Sequence, residues 1–183
     1  MRIIGGRFKG KRIDMPKEIR PTSDKVREAL FEIFKDRIEG AGFLDLYCGS
    51  GAVGIEAISR GAKSVSFVDN NPMCISGLKK NLKAQGPLEL SSIDIYKGDV
   101  LKAFERFVRL SSVFDIVFLD PPYYREIAKN TLIALSNYDI LARNAVIVVE
   151  IHKKETLPEK VGSSIRKIRI CRYGDTKLEF FKR

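Results

Sequence analysis

The chain carries the stretch FLDLYCGSGAVG at residues 43–54, and the rest of the sequence can be organised around it. The stretch begins as a short apolar strand with Asp45 near its carboxyl end, and the glycine turn after it leads into a helix predicted over about residues 52–60. Gly49 and Gly51 lack a Cβ atom, so both can adopt positive φ and let the backbone approach a bound molecule closely. A strand that enters a helix through such a turn predicts a ligand cradle.

The glycines of this turn also have a specific spacing. Gly49, Gly51 and Gly54 form the pattern G-x-G-x-x-G, and Asp69 ends the next apolar strand, Val65–Val68. In nucleoside-binding folds a carboxylate at that position binds the ribose hydroxyls. The combination predicts a cofactor that contains a nucleoside. The alternative is an ordinary strand-to-helix turn that binds nothing.

The composition limits the class of protein. With 183 residues, 44% hydrophobic and 31% charged, the chain is long enough for one compact domain with a small appendage. No apolar run approaches the roughly 20 residues of a membrane span, and the first residues lack the apolar core of a signal peptide, so we expect no membrane association and a cytoplasmic location. The three cysteines have no metal-ligand spacing, so we expect no metal site. We also expect a monomer.

The charge is concentrated near the start of the chain. The net charge is +10, and residues 2–27 contain nine basic and three acidic side chains, a net +6. A solvated basic face is one explanation. Because the concentration lies next to a predicted nucleoside site, contact with the phosphates of a nucleic acid is favoured.

The order of elements predicts the architecture. Short strand-like pieces around residues 5–10 indicate a basic N-terminal β-hairpin, and β and α segments alternate from residue 43 onward. Gly174-Asp175 predicts a final hairpin whose last strand is antiparallel. We therefore predict an α/β three-layer sandwich with a Rossmann-like, mostly parallel seven-stranded sheet. Residues 1–20 form the hairpin extension in this scheme, and residues 21–183 form the main domain.

A second motif follows the fourth predicted strand. Asp120-Pro121-Pro122-Tyr123 stands where the carboxyl end of a parallel strand meets the ligand crevice, and two prolines stiffen the backbone there. Asp120 and the carbonyl of Pro121 can accept hydrogen bonds from a planar amino group, and the ring of Tyr123 can stack on a base. The alternative is a proline-rich turn that only ends a strand.

These motifs resemble those of Class I S-adenosylmethionine-dependent methyltransferases that modify amino groups. More narrowly, residues 20–31 (RPTSDKVREALF), residues 45–54, residues 56–62 (EAISRGA) and residues 173–176 (YGDT) are similar to the bacterial 16S ribosomal RNA guanine-N2 methyltransferase family of the RsmD type. The resemblance spans essentially the whole chain. It implies a Class I methyltransferase domain, S-adenosyl-L-methionine as cofactor, and ribosomal RNA as substrate, either naked or within a small-subunit assembly particle.

The resemblance also implies roles for individual residues. The catalytic residues are expected to be Asp120, Pro121, Pro122 and Tyr123, which hold the target guanine. The expected cofactor-binding residues are Asp45, Gly49, Ser50, Gly51, Asp69, Asn70, Asp99 and Val100, with Asp99 and the backbone of Val100 meeting the adenine. Asp99 is also positioned to cap the helix that follows it, so it has two candidate roles. The expected RNA-binding residues are Arg2, Arg7, Lys9, Lys11, Arg12, Arg20, Thr22 and Arg27.

Three other functions compete with this interpretation. A nicotinamide-dependent dehydrogenase shares the glycine turn, but it would leave residues 120–123 without a role. A DNA adenine-N6 methyltransferase shares both motifs, although such enzymes generally add a target-recognition domain. A non-catalytic RNA-binding assembly protein could use the same fold, but the intact motifs argue against it.

Overall fold

The structure is a computed structural model that describes residues 1–15, 23–88, 93–124 and 126–183. The helices are α1 (Asp24–Phe34), α2 (Ala52–Ser59), α3 (Pro72–Ala84), α4 (Val100–Arg109) and α5 (Ile127–Leu135), with a 3₁₀ turn at Gly6–Phe8. The strands are β1 (Gly42–Leu46), β2 (Ser64–Asp69), β3 (Ile93–Lys97), β4 (Phe114–Leu119), β5 (Leu141–His152), β6 (Lys160–Val161), β7 (Ile165–Tyr173) and β8 (Thr176–Lys182). Within these ranges, no helix has both the length and the apolar content needed to cross a lipid bilayer.

The strands form one mixed sheet in the order β3-β2-β1-β4-β5-β8-β7-β6. The first five in that order run parallel, and β8 pairs antiparallel with both β5 and β7. β1 is paired on both sides, with Leu46 next to Val68 of β2 and Leu119 of β4. Because parallel strands end at the same edge, the loops after β1, β2 and β4 lie side by side.

Helices cover both faces of the sheet. One hydrophobic cluster joins α1, α2 and α3 to residues such as Phe43 of β1, and the other joins α4 and α5 to Leu44 and Leu46 of the same strand. Side chains of a strand alternate between faces, so an apolar run such as that of β1 can be buried on both. The expected three-layer α/β sandwich is therefore confirmed.

The N-terminal segment packs against α2. Antiparallel pairing joins Arg2 to Arg12, and the apolar side chains Ile3, Phe8 and Ile13 are buried in the α1–α3 cluster. The segment contributes to the main core rather than standing away from it. The division into an extension of residues 1–20 and a domain of residues 21–183 stays a prediction, because residues 16–22 lie outside the described part.

Polar contacts fix the same segment. The carboxylate of Glu56 accepts hydrogen bonds from the backbone N–H groups of Ile4 and Gly5 at 2.8 and 2.7 Å, and Ser59 Oγ accepts one from Phe8 N at 2.9 Å. Both acceptors belong to α2, the helix that starts at the predicted cradle. The basic segment and the cradle are thus held on one helix.

The structure differs from the expected sheet in one respect. In the part of the chain that the structure describes, the short strand β6 is an eighth strand at the edge of the sheet, where seven were expected. Only two residues, Lys160 and Val161, pair there with β7, which is too short for a periodic pattern to be visible in the sequence.

Candidate active site

The predicted cradle has the backbone that its glycines were expected to permit. Gly49 and Gly51 have φ of 54° and 77°, and Gly51 is the N-cap residue of α2. A Cβ atom on Gly51 would lie 2.2 Å from Leu78 Cδ1, and one on Gly54 would lie 2.2 Å from Phe67 Cε1. These two glycines therefore bring α2 close to α3 and to the sheet, whereas Gly49 lines the cavity beside the turn.

Asp69 connects the loop after β1 to the loop after β2. Its Oδ2 accepts a hydrogen bond from Gly49 N at 2.9 Å, and its Oδ1 accepts one from Asn71 N at 2.8 Å. Each carboxylate oxygen can accept a further hydrogen bond. Asp69 is thus held at the cavity wall with acceptor capacity left for a ligand that carries hydroxyl groups.

Asp45 is buried below the cradle and also lines the cavity. It is 1% exposed, and its Oδ2 accepts a hydrogen bond from Gly54 N at 2.9 Å. Burial raises the pKa of Asp45 to about 7, helped by the nearby charge of Asp69, while the bond from Gly54 lowers it. A carboxylate in such a place is stabilised when a cation binds next to it.

The two thiols near the cradle are not nucleophiles. Burial raises the pKa of Cys48 well above its ordinary value, with the charges of Asp45 and Asp69 adding to the effect. Burial likewise raises the pKa of Cys74 to about 11. Both side chains therefore stay protonated thiols at neutral pH.

The loop after β4 opens into the same cavity as the cradle. Asp120 N donates a hydrogen bond to the carbonyl oxygen of Leu46 at 3.3 Å, which continues the pairing of β1 and β4 beyond their ends. The cavity has a volume of about 440 Å³ and is lined by residues of the cradle, by Asp69 and Asn70, and by residues 120–123. The two motifs recognised in the sequence thus share one cavity, as neighbouring parallel strands require.

Glu150 is a cavity residue that the sequence motifs did not include. It is 4% exposed, and the hydroxyl of Tyr123 lies 3.4 Å from its Oε1 and 3.3 Å from Thr176 Oγ1. Glu150 is near the end of β5, the neighbour of β4, so an acidic residue at the end of an apolar strand was the signal that could have identified it. These contacts set the position of the Tyr123 ring.

The cavity lining is acidic. Asp45, Asp69, Asp120 and Glu150 all contribute to it, and among the described residues that line the cavity there is no lysine, arginine or histidine. This contrasts with the chain as a whole, which has a net charge of +10. The cavity suits a cationic ligand, and it is unfavourable for a pyrophosphate.

Three of the expected cofactor residues are not in the lining. Gly51 packs against Leu78, as described above. Asp99 is the N-cap residue of α4, where its Oδ1 accepts hydrogen bonds from the backbone N–H groups of Leu101 and Lys102 at 2.8 and 3.4 Å. Val100 is buried under the same helix end. Asp99 is still close enough to Tyr47, a lining residue, for its charge to raise the pKa of that phenol, although burial is the larger cause.

Five of the expected RNA-binding residues lie on the surface. Arg2, Arg7, Lys9, Lys11 and Arg12 are all exposed. The charged groups of Arg7 and Lys11 lie over the ring of Phe8, 4.5 and 4.9 Å from its centroid. The N-terminal segment therefore presents its basic side chains outward. Arg20 and Thr22 lie outside the described residues.

Arg27 has a different role from the one expected. Its side chain is completely buried, with Nη2 donating to the carbonyl oxygen of Arg2 at 2.5 Å and to Asp24 Oδ1 at 3.0 Å. Its Nε lies 3.7 Å from Glu56 Oε2. An RNA phosphate cannot reach a guanidinium in this position, so the prediction that Arg27 binds RNA is wrong, and the residue holds the N-terminal segment on α1 and α2.

Comparison with solved structures identifies the fold. A solved structure from Escherichia coli, yhhF, is provisionally assigned as a methyltransferase; it is 30% identical, with a TM-score of 0.84 over 100% of this chain and 97% of that one. The more distant SMU.776, a provisionally assigned methyltransferase complexed with SAH, is 18% identical with a TM-score of 0.70 over 87% of this chain and 48% of that one, and shares the fold. The fold is that of the Rossmann-like methyltransferases.

The sequence comparisons then identify the family. The chain belongs to the family described as "Conserved hypothetical protein 95", whose model matches residues 1–182. YlbH of Bacillus subtilis, provisionally named an rRNA methyltransferase, is 36% identical over 186 residues, which cover 100% of this chain and 99% of YlbH. The Ribosomal RNA small subunit methyltransferase D of Escherichia coli is 33% identical over 160 residues, covering 86% of this chain and 78% of that protein. The family resemblance inferred from the motifs is confirmed.

Proposed function

We propose that this chain transfers a methyl group from S-adenosyl-L-methionine to the exocyclic N2 amine of a guanine in 16S ribosomal RNA. One observation carries the proposal: the cradle after β1 and residues 120–123 after β4 line a single acidic cavity of about 440 Å³. The names of the relatives in the same family, which are rRNA methyltransferases, support the substrate class. We further propose that the protein acts in the cytoplasm, as a monomer, on ribosomal RNA that is naked or part of a small-subunit assembly particle.

The donor set of the cavity fits this cofactor. S-adenosylmethionine carries a sulfonium and an amino group, and a cation next to Asp45 would stabilise this buried carboxylate, whose pKa is raised to about 7 mainly by burial. Asp69 has acceptor capacity for the ribose hydroxyls, and Gly49, Ser50 and Asn70 complete that part of the wall. A nicotinamide dinucleotide fits less well, because its pyrophosphate would meet carboxylates and no basic side chain among the lining residues that the structure describes. Gly51, Asp99 and Val100 do not line the cavity, so they would contribute indirectly, by forming the N-terminal ends of α2 and α4.

The proposed roles of residues 120–123, in the loop after β4, follow from the chemistry of the target amine. Guanine N2 is a poor nucleophile because its lone pair is delocalised into the ring. Hydrogen bonds from the amine to Asp120 and to the carbonyl of Pro121 favour a pyramidal nitrogen and stabilise the positive charge that develops on it. Pro122 stiffens the loop, and Tyr123, positioned by Glu150 and Thr176, stacks on the base.

The proposed transfer forms one bond, breaks one bond and releases one proton. When bound, S-adenosylmethionine supplies an electrophilic methyl group attached to sulfur. The N2 lone pair forms the new carbon–nitrogen bond as the carbon–sulfur bond breaks, and the surplus proton on nitrogen then leaves. Asp120 is the group proposed to receive that proton, because it is the carboxylate of the loop that holds the amine.

The RNA would be held on two surfaces. A base within a helix cannot reach the cavity, so the target guanine must be unpaired or flipped out of its stack. The exposed side chains of Arg2, Arg7, Lys9, Lys11 and Arg12 would contact flanking phosphates. The N-terminal segment that carries these side chains is attached to Ser59, at the end of α2. The eight residues of α2 place this attachment about 12 Å from the cradle.

The test is a transfer assay with three substrates. The purified protein is incubated with methyl-labelled S-adenosylmethionine and with deproteinised 16S ribosomal RNA, isolated small subunits or double-stranded DNA. Labelled N2-methylguanosine in digested RNA, from either RNA substrate, is the expected product. Label in the adenines of DNA would favour the adenine-N6 alternative, and cofactor binding without transfer to any substrate would favour a non-catalytic assembly protein.

A further inference from the structure

Three aromatic rings form a cluster that extends from the cavity to the surface. Tyr123 lines the cavity, and the centroid of the Tyr124 ring lies 6.2 Å from that of Tyr123. The imidazole of His152 lies 4.8 Å from the Tyr124 ring and 5.8 Å from the Tyr123 ring. Tyr124 is the outermost of the three and is 64% exposed.

A single carboxylate holds the backbone of two members of this cluster. Glu155 Oε1 accepts a hydrogen bond from Tyr124 N at 3.2 Å, and Glu155 Oε2 accepts one from His152 N at 3.0 Å. The imidazole is fixed in turn, because its Nδ1 accepts a hydrogen bond from Lys154 N at 3.2 Å. The backbone carbonyl of Glu155 is itself bound by the buried ammonium of Lys177. The exposed ring of Tyr124 is therefore pre-positioned next to the cavity.

Charged groups of both signs lie next to the cluster: Lys153 and Lys154 are exposed beside His152, and the carboxylates of Asp175 and Glu155 lie close to them. Lys153 is exposed, with its Nζ 2.8 Å from Asp175 Oδ1, and it lies within electrostatic range of Tyr124. An exposed ring with basic neighbours is the combination that binds single-stranded nucleic acid, since the ring stacks on a base and the cation attracts a phosphate. If the Tyr124 ring served only to pack against its own loop, burial would stabilise the fold more than this exposure does, because removing apolar surface from water is favourable.

We infer that Tyr124, backed by His152, is a stacking platform for the nucleotide that adjoins the target base. This inference rests on the proposed function, because a base drawn into the cavity leaves its neighbour without a stacking partner on one side. Tyr123 then contacts the target base, and Tyr124 contacts the next base along the strand. Tyr124 determines how tightly the RNA binds, while Asp120 and its loop carry out the transfer.

The experiment compares Tyr124→Ala, Tyr124→Phe and a control, Leu110→Ala, which removes an apolar side chain of similar exposure at the far end of α4. Steady-state methyl transfer to 16S ribosomal RNA gives kcat and KM, and calorimetry gives the affinity for S-adenosylmethionine. Loss of one base stack predicts a rise in KM for RNA of about 5- to 150-fold in Tyr124→Ala. Tyr124→Phe, which keeps the ring, and Leu110→Ala stay near the wild-type KM, and cofactor affinity is unchanged throughout.

The salt dependence separates stacking from a charge effect. Stacking releases no counterions, so log KM against log salt keeps the same slope in Tyr124→Ala, whereas Lys153→Gln flattens it. A wild-type KM in Tyr124→Ala, with transfer intact, overturns this inference and leaves the proposed function standing. Equal damage in Tyr124→Phe, or loss of cofactor binding in Tyr124→Ala, also overturns it, since neither is expected from lost stacking. Failure of the wild-type protein to methylate any RNA removes both the proposed function and this inference.

Discussion

The side-chain amide of Asn81 donates a hydrogen bond to the carbonyl oxygen of Ser50 at 3.0 Å, and so joins the middle of α3 to the cradle. The same side chain is bound to both backbone groups of Asp14: its Oδ1 accepts from Asp14 N, and its Nδ2 donates to Asp14 O, each at 2.9 Å. Asn81 is buried. One amide therefore connects the N-terminal segment to the loop that is proposed to hold the cofactor.

Replacing Asn81 with Leu is expected to weaken both folding and cofactor binding. The change leaves three backbone groups without their partner, of which the carbonyl of Ser50 is buried, at a cost of about 1–3 kcal/mol in the free energy of unfolding. The affinity for S-adenosylmethionine should also fall, because the position of Ser50 is no longer fixed. Urea unfolding and calorimetry measure the two effects. The exposed Asn130→Ala serves as the control, and unchanged cofactor affinity in a folded Asn81→Leu protein would show that the cradle does not depend on this amide.

Asp45→Asn is expected to have opposite effects on stability and on binding. The folded pKa of Asp45, about 7, is above that of an aspartate in the unfolded chain, so its contribution to stability is complete below about pH 4 and is lost as the pH rises through 7. The variant should therefore match the wild type near pH 4 and exceed it at pH 8, by at most about 4 kcal/mol. At pH 8 it should bind S-adenosylmethionine more weakly, because the carboxylate is gone.

The measurement is urea unfolding of both proteins from pH 4 to pH 8, with calorimetry of cofactor binding over the same range. Wild-type affinity should fall as the pH drops below 7 and Asp45 becomes protonated, and the variant should lack that dependence. A stability difference that is constant with pH would contradict the raised pKa.

Asp120→Asn should separate transfer from cofactor binding. The amide keeps the size of the side chain but replaces the charged acceptor, which should lower kcat by about 10²–10³-fold if the developing charge on the amine is stabilised there. The affinity for S-adenosylmethionine should change little, since the methyl donor is proposed to rest mainly on Asp45 and Asp69. Loss of cofactor binding in a folded Asp120→Asn protein would exclude the proposed division of roles.

The exposed bases of the N-terminal segment should govern the salt dependence of RNA binding. Replacing Arg7, Lys9 and Arg12 together with Gln removes three candidate phosphate contacts, which should reduce the slope of log affinity against log salt by about 2 for single-stranded RNA. Fluorescence anisotropy with labelled RNA measures this slope. The control replaces three exposed bases on α4, β5 and β6, namely Arg109, Arg143 and Lys160. An equal loss in the control would mean that only the net charge matters.

Local chemistry made much of the fold predictable. Asn71 is a favourable N-cap and Pro72 a favourable first helical residue, and α3 begins there, with Asn71 Oδ1 accepting a hydrogen bond from Met73 N at 2.9 Å. Gly174-Asp175 does turn the chain between the antiparallel strands β7 and β8. In each case the conformation depends on a few neighbouring residues, so the sequence contains the whole signal.

The positions of Arg27 and Glu150 depend on partners far along the chain. Arg27 is buried because Glu56, 29 positions later, and the carbonyl of Arg2 satisfy its charge, and a helical pattern assigns a lone arginine to the surface. Glu150 belongs to the cavity because β5 lies beside β4, which follows from sheet order rather than from any motif. Asp99 caps its own helix, which is one of the two roles expected of it, and its contact with the adenine stays a prediction.

The insertion of β8 between β5 and β7 affects how the nascent chain can mature. During translation β5 and β7 are made before β8, which is Thr176–Lys182. One edge of β5 therefore stays unpaired until β8 has been synthesised and pairs with both strands. Thr176 is also a neighbour of the Tyr123 hydroxyl, so the aromatic wall of the cavity gains its final support in the same event. A translating chain therefore cannot complete the amine-binding side of its pocket before this late strand has been synthesised.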